Sequence, residues 1–114
     1  MFEKINVSIP ENWLTGDKEN YVVIKVPDYM YAPHFNQNDI LIICKDMEKA
    51  QTNDIVLCNI DGRLELRRLC VHSEDCTALE GITNFIPPII DRGYEKIGFL
   101  YILVRSYRAG GILL

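Results

Sequence analysis

Val26-Pro27-Asp28-Tyr29-Met30-Tyr31-Ala32-Pro33, continued by Asn38-Asp39-Ile40-Leu41, is the stretch that decides how the chain folds. It separates two strands. Residues 21–26 are nearly all β-branched or aromatic, which suits a buried strand. Pro27 closes that strand, because it lacks a backbone N–H and fixes its own φ. Asp28 is placed to cap the short turn or helical piece behind it. Asn38-Asp39 then turns the chain into a second apolar strand, residues 40–44.

Outward from this stretch the chain reads as strands and turns. Residues 54–60 form another apolar run, and Asp61-Gly62 is a strong hairpin signal. Residues 63–71 return from it, with Leu64, Leu66, Arg68 and Cys70 on one face and Arg63, Glu65, Arg67, Leu69 and Val71 on the other. Residues 76–80 and 89–90 suggest short strands. Residues 94–104 suggest a long final strand with a bulge at Gly98. Upstream, residues 5–9 suggest an edge strand, and residues 11–20 a loop that tucks Trp13 against the body. There is no repeat, no low-complexity segment and no convincing amphipathic helix. The expected fold class is mostly β, antiparallel, one domain over residues 1–114 with residues 1–20 as an N-terminal arm.

Composition sets limits on function. The 114 residues suffice for a single core that buries roughly two-thirds of the unfolded surface. A net charge of −4 makes the domain a poor holder of DNA phosphates unaided. No run approaches the roughly 20 apolar residues of a membrane span, and the start has no signal-peptide core. The expected location is the cytoplasm, without a membrane partner. Cys44, Cys58, Cys70 and Cys76 form no Cys-x-x-Cys pair, and His34 and His72 stand at no zinc-ligand spacing. No metal and no cofactor is expected. The cysteines read as small buried hydrophobes; Cys70 and Cys76 are also considered as a redox pair. Ser8, Ser73 and Ser106 have no histidine or lysine at suggestive spacing.

The opening stretch resembles the signature of the self-cleaving LexA-like serine peptidases, which include LexA, related phage repressors and the error-prone polymerase precursors. That signature runs Val, any residue, Gly, Asp, Ser, Met, any residue, Pro, then Gly-Asp and an apolar strand. Asp28, Met30 and Asp39-Ile40-Leu41 match, and Pro33 falls one residue late. Pro27 stands at the glycine and Tyr29 at the nucleophilic serine. The family's lysine lies after a hairpin, in the pattern apolar, Lys, Arg, Leu; Leu66-Arg67-Arg68-Leu69 occupies that place. The resemblance spans most of the chain and implies the small, curved, mostly antiparallel LexA-like (signal-peptidase-like) β fold.

The resemblance also implies that the Ser–Lys dyad is replaced. Serine needs a base, and lysine serves only when burial leaves it neutral. Arginine at position 67 stays protonated at any physiological pH. A tyrosine phenol is a poor replacement nucleophile, with a pKa near 10. Arg67 then either stacks over the Tyr29 ring or pairs with Asp28 or another carboxylate, and Tyr29 is otherwise core filler. The family's scissile bond is a small-residue pair upstream of the serine, for which only Thr15-Gly16 offers itself.

By the same resemblance the chain is expected to be a catalytically inactive dimerisation and regulatory domain of a phage-type or SOS-type transcriptional repressor. DNA would be reached only through a helix-turn-helix domain preceding Met1. The homodimer would pair through the final strand, implicating Phe99, Tyr101 and Leu103. Two alternatives are a self-processing peptidase with an unrecognised nucleophile and a standalone module that binds a partner protein.

Overall fold

The computed structural model describes residues 2–28, 30–106 and 112–113. The described residues form one curled antiparallel sheet of nine strands. They are β1 (Glu3–Lys4), β2 (Tyr21–Lys25), β3 (Ile40–Cys44), β4 (Ile55–Ile60), β5 (Arg63–Ser73), β6 (Cys76–Gly81), β7 (Ile89–Ile90), β8 (Glu95–Ser106) and β9 (Ile112–Leu113). The spatial order is β1-β2-β3-β8-β4-β5-β6-β7, with β9 paired to β8. Short 3₁₀ turns occupy Glu11–Trp13, Lys18–Asn20 and Met47–Lys49.

The continuous apolar runs of β3 and β4 follow from burial on both faces. On one face Ile24, Leu41, Ile43, Leu57 and Leu66 pack together, and the turn between β2 and β3 closes over them with Val26, Tyr31 and Phe35. On the other face Val56, Cys58, Ile60, Leu69 and Leu79 form a second cluster. Asp61 and Gly62 make the β4–β5 turn with φ of 53° and 88°, the twist-matched hairpin geometry that needs left-handed residues. The Asn59 side-chain oxygen accepts the Gly62 N–H at 2.9 Å.

The bulge expected at Gly98 is present: the β4–β8 register slips between Leu57 and Cys58, which face Gly98 and Lys96. A Cβ on Gly98 would stand 2.3 Å from the Cys44 carbonyl oxygen, so the strand crossing requires glycine.

Two expectations are corrected. The edge strand placed at residues 5–9 is instead Glu3–Lys4 on β2. After Ile5, whose N–H reaches Val23 O at 3.0 Å, the arm leaves the edge. It crosses the sheet face, where Val7, Ile9, Pro10 and Trp13 meet Val23, Ile40, Ile42 and Val104 around a cavity of about 220 Å³. Apolar cover of a face is worth more here than extension of an edge ladder.

The second correction concerns the final strand, expected as an exposed edge through which a homodimer would pair; it is not a sheet edge, because β8 runs between β3 and β4. Glu95, Lys96, Gly98 and Phe99 pair with β4, and residues 99–104 pair with β3. Among the described pairings, β8 beyond Phe99 has no β4 partner. A second slip, between Ile42 and Ile43, leaves Tyr101 unmatched and breaks the odd-residue alternation. Phe99 therefore packs on the Val56 cluster and Leu103 on the Leu41 cluster, while Tyr101 remains exposed.

Candidate functional site

The turn between β2 and β3 is built by its own polar groups. Val26 N–H donates to Asp39 O at 2.9 Å and Asn38 N–H to Val26 O at 2.8 Å, which extends the β2–β3 ladder by one step. The Asp28 carboxylate accepts the Met30 N–H at 2.9 Å, spanning position 29 in the manner of an Asx turn. Tyr29 itself lies outside the described residues, and with it the expected stacking between Tyr29 and Arg67. Met30 and Pro33 are exposed.

Asp39 is buried and fixes the far end of the turn. Its carboxylate accepts Asn36 N–H at 2.8 Å and Arg105 Nη2 at 2.8 Å, with Arg105 Nε at 3.1 Å. Arg105 also donates to the His34 carbonyl at 3.3 Å. A residue read as a turn former thus anchors the end of β8 to the signature turn.

The turn meets β5 through Tyr31. Its ring is buried and stacks on Phe2, with centroids 5.8 Å apart. Its hydroxyl accepts the Leu66 N–H at 3.1 Å, at a point on β5 beyond its last β6 partner. Burial raises the Tyr31 phenol above its ordinary pKa of 10.0, and the charges of Glu65, Asp28 and Arg67 all reach it. The turn between β2 and β3 and strand β5 therefore meet at Leu66, one residue before Arg67.

Arg67 is itself buried. Its Nε and Nη2 donate to Glu65 Oε1 at 3.2 and 3.0 Å, and its Nη1 donates to the carbonyls of Leu79 at 3.1 Å and Pro87 at 2.8 Å. Of the alternatives left open above, pairing with "another carboxylate" holds, and that carboxylate is Glu65. Sequence reasoning placed Glu65 and Arg67 on one face but did not join them. The available signal was two opposite charges, two residues apart, inside an apolar strand.

A groove of about 230 Å³ runs between the β2–β3 turn and the segment after β6, lined by Ala32, Pro33, His34, Ile82, Thr83 and Phe85 among others. The Thr15-Gly16 pair is elsewhere. Tyr21 donates its hydroxyl proton to Thr15 O at 2.8 Å and accepts Thr15 N–H at 3.2 Å, and the Tyr21 and Tyr101 rings lie 5.3 Å apart. In sheet order β3, β8 and β4 separate Tyr21 on β2 from Arg67 on β5.

The remaining candidates scatter. Cys44 and Cys58 are buried, and burial pushes the Cys58 thiol up to about 11. Cys70 and Cys76 are half-exposed, a departure from the expected buried role. Among the described residues no group of three His, Cys, Asp or Glu side chains is arranged to hold a metal ion, and no helix is long and apolar enough to cross a membrane.

Comparison with protein families matches residues 2–92 to the family described as Peptidase S24-like, which takes in both the signature turn and the Arg67 strand. No curated protein matches the chain. With the fold and most of the chain's length in agreement, the chain belongs to the Peptidase S24-like family.

Proposed function

We propose that this domain is a peptidase fold without peptidase activity, serving as the dimerisation and regulatory domain of a phage-type transcriptional repressor. The observation that carries the proposal is the state of Arg67. It stands where the family's lysine base is expected, and four of its hydrogen bonds go to Glu65, Leu79 and Pro87. A general base must offer a lone pair, and a guanidinium held in this way has none to offer. Tyr29, at the serine position, supplies a phenol in place of the hydroxyl that a dyad would activate.

Regulation without cleavage leaves pairing as the contribution of the domain. Two copies, each joined to a DNA reader, would match the two-fold symmetry of a palindromic site and raise the effective concentration of the second reader. The acidic charge of the domain is compatible with this, because the phosphate contacts would come from the attached readers.

Incubation of the purified protein at alkaline pH, and separately with an activated recombinase filament, tests the catalytic half of the proposal. The expected result is an unchanged intact mass. A discrete internal cut would establish a self-processing peptidase with another nucleophile. Tyr29→Ser with Arg67→Lys should keep the fold by circular dichroism, because the loss of activity would be one of chemistry.

A further inference from the structure

Cys70 and Cys76 take no part in the function proposed above, yet the β5–β6 hairpin brings them together. Cys70 lies opposite Ala78, and Cys76 lies opposite Ser73. Side chains alternate along β6, so Cys76 and Ala78 share a face and Cys76 is the diagonal neighbour of Cys70. The register slips between Val71 and Ser73, which leaves His72 as the additional residue. Its ring turns to the same face, with Nε2 3.5 Å from Cys70 Sγ. Glu80, opposite Arg68, hydrogen-bonds to the Cys70 thiol, and the charge of Cys76 is also felt there. Ile90 of β7, across from Ala78, adds no charge.

We propose that Cys70 and Cys76 form a reversible disulfide that ties the outer end of the β5–β6 hairpin, with a peroxide as the oxidant. The Cys70 thiolate attacks the peroxide, an S–O bond forms, the O–O bond breaks, and hydroxide leaves to take up a proton as water. The Cys76 thiolate then attacks the sulfenic sulfur, the S–S bond forms as the S–O bond breaks, and the hydroxide released takes up a proton and leaves as a second water. Two electrons pass from the two sulfurs to one peroxide.

The register decides what kind of bond this is. Diagonal neighbours have Cα atoms about 7–8 Å apart, whereas a relaxed disulfide spans roughly 4.4–6.8 Å. The two strands must therefore close by about 1 Å, which a slipped register at a hairpin end accommodates. Residues 71–75 are all exposed, so no core side chain is displaced. A bond closed under such strain is readily reduced, which suits a switch and not a permanent staple. Desolvation, then the Glu80 charge and hydrogen bond and the neighbouring Cys76, raise the Cys70 thiol above its ordinary value. Arg68 and His72 are the basic side chains on the same face. Oxidation should accordingly speed up as pH rises, because the thiolate is the reacting form.

The test is exposure of the full chain to hydrogen peroxide at about pH 8, alkylation of free thiols, and mass analysis before and after cleavage at Glu74 without reductant. The expected product is a single uncrosslinked chain, lighter by about 2 Da before alkylation and carrying two fewer alkyl groups than the reduced chain after it, whose peptides on either side of Glu74 stay joined until dithiothreitol is added. Cys70→Ser and Cys76→Ser should each abolish it, and its rate should climb from about pH 7 to about pH 9. Four outcomes would each overturn the proposal: an unchanged mass, a sulfinic or sulfonic Cys70 beside an alkylated Cys76, a bond between chains, or a bond involving Cys44 or Cys58.

Discussion

Arg67 is held by Glu65, two residues earlier on the same face of β5, through its Nη2 at 3.0 Å and its Nε at 3.2 Å. The side chains are only 7% and 9% exposed, so this is a buried ion pair and not a surface one. Removal of Arg67 leaves the buried Glu65 carboxylate with only the largely exposed Arg63, whose Nη2 lies 3.5 Å from its other oxygen. Arg67→Met should destabilise the domain by about 3–5 kcal/mol, whereas Glu65→Leu with Arg67→Met should recover most of that loss. Urea unfolding of the two variants checks the difference. Equal losses in both would mean that the pair is not a unit.

Tyr31 presents a smaller, cleaner case. Its hydroxyl is the acceptor for the Leu66 N–H at a place where β5 has no strand neighbour on that side. Tyr31→Phe keeps the ring and its stacking on Phe2 but orphans a buried amide. The expected loss is about 1–3 kcal/mol, with faster exchange of the Leu66 amide. An unchanged Leu66 exchange rate would show that the hydroxyl does not protect it.

Cys58 makes stability depend on alkaline pH. Burial is the chief cause of its raised pKa, from 9.0 to about 11; the nearby Lys96 acts in the opposite direction. The folded state therefore holds the thiol proton more tightly than the unfolded state does. The stability from that preference is complete below about pH 9 and is lost as pH rises toward about 11. Tyr31, raised in the same direction, adds to the fall above its ordinary value. Cys58→Ala should flatten the decline of unfolding free energy between these pH values while lowering it overall by leaving a cavity. A slope identical to wild type would remove Cys58 as its source.

Much of the fold was legible because local chemistry and tertiary context agree. The Ile40–Cys44 strand, the Asp61-Gly62 hairpin and the Gly98 bulge each rest on residues whose geometry leaves few choices. The arm was not legible. Ile5, Val7 and Ile9 alternate as strand residues do, and nothing in their order says that a cavity beside Trp13 and Ile42 would take them off the edge. The interior place of β8 was hidden for a related reason: an apolar strand late in the chain reads the same at a sheet edge or between β3 and β4. At the site, Arg67 was found through its hairpin context. Arg105 was missed because it lies just past the expected final strand and its contact with Asp39 joins residues 66 positions apart.

The pairing surface can be tested at one residue. Phe99 and Leu103 are committed to the two core clusters, so charges placed there would unfold the protein without informing on assembly. Tyr101 is 37% exposed, lies at the register slip of β8, and meets the Tyr21 ring of β2 at a tilt of 56°. Residues 100–104 bond to β3 on one side and, among the described pairings, to no part of β4 on the other. An unpaired strand length of this kind invites a partner strand, and a second copy across a two-fold axis offers a self-complementary one. Tyr101→Glu should therefore weaken dimerisation at least tenfold, about 1.4 kcal/mol, because like charges meet at the axis. Its effect on monomer unfolding should stay near 1 kcal/mol, the order of an exposed aromatic contact. Sedimentation equilibrium across micromolar concentrations separates the two effects. A wild-type protein that is monomeric throughout, or a dimer indifferent to Glu at position 101, would remove this stretch of β8 as the pairing surface and leave a standalone binding module as the stronger account of the domain.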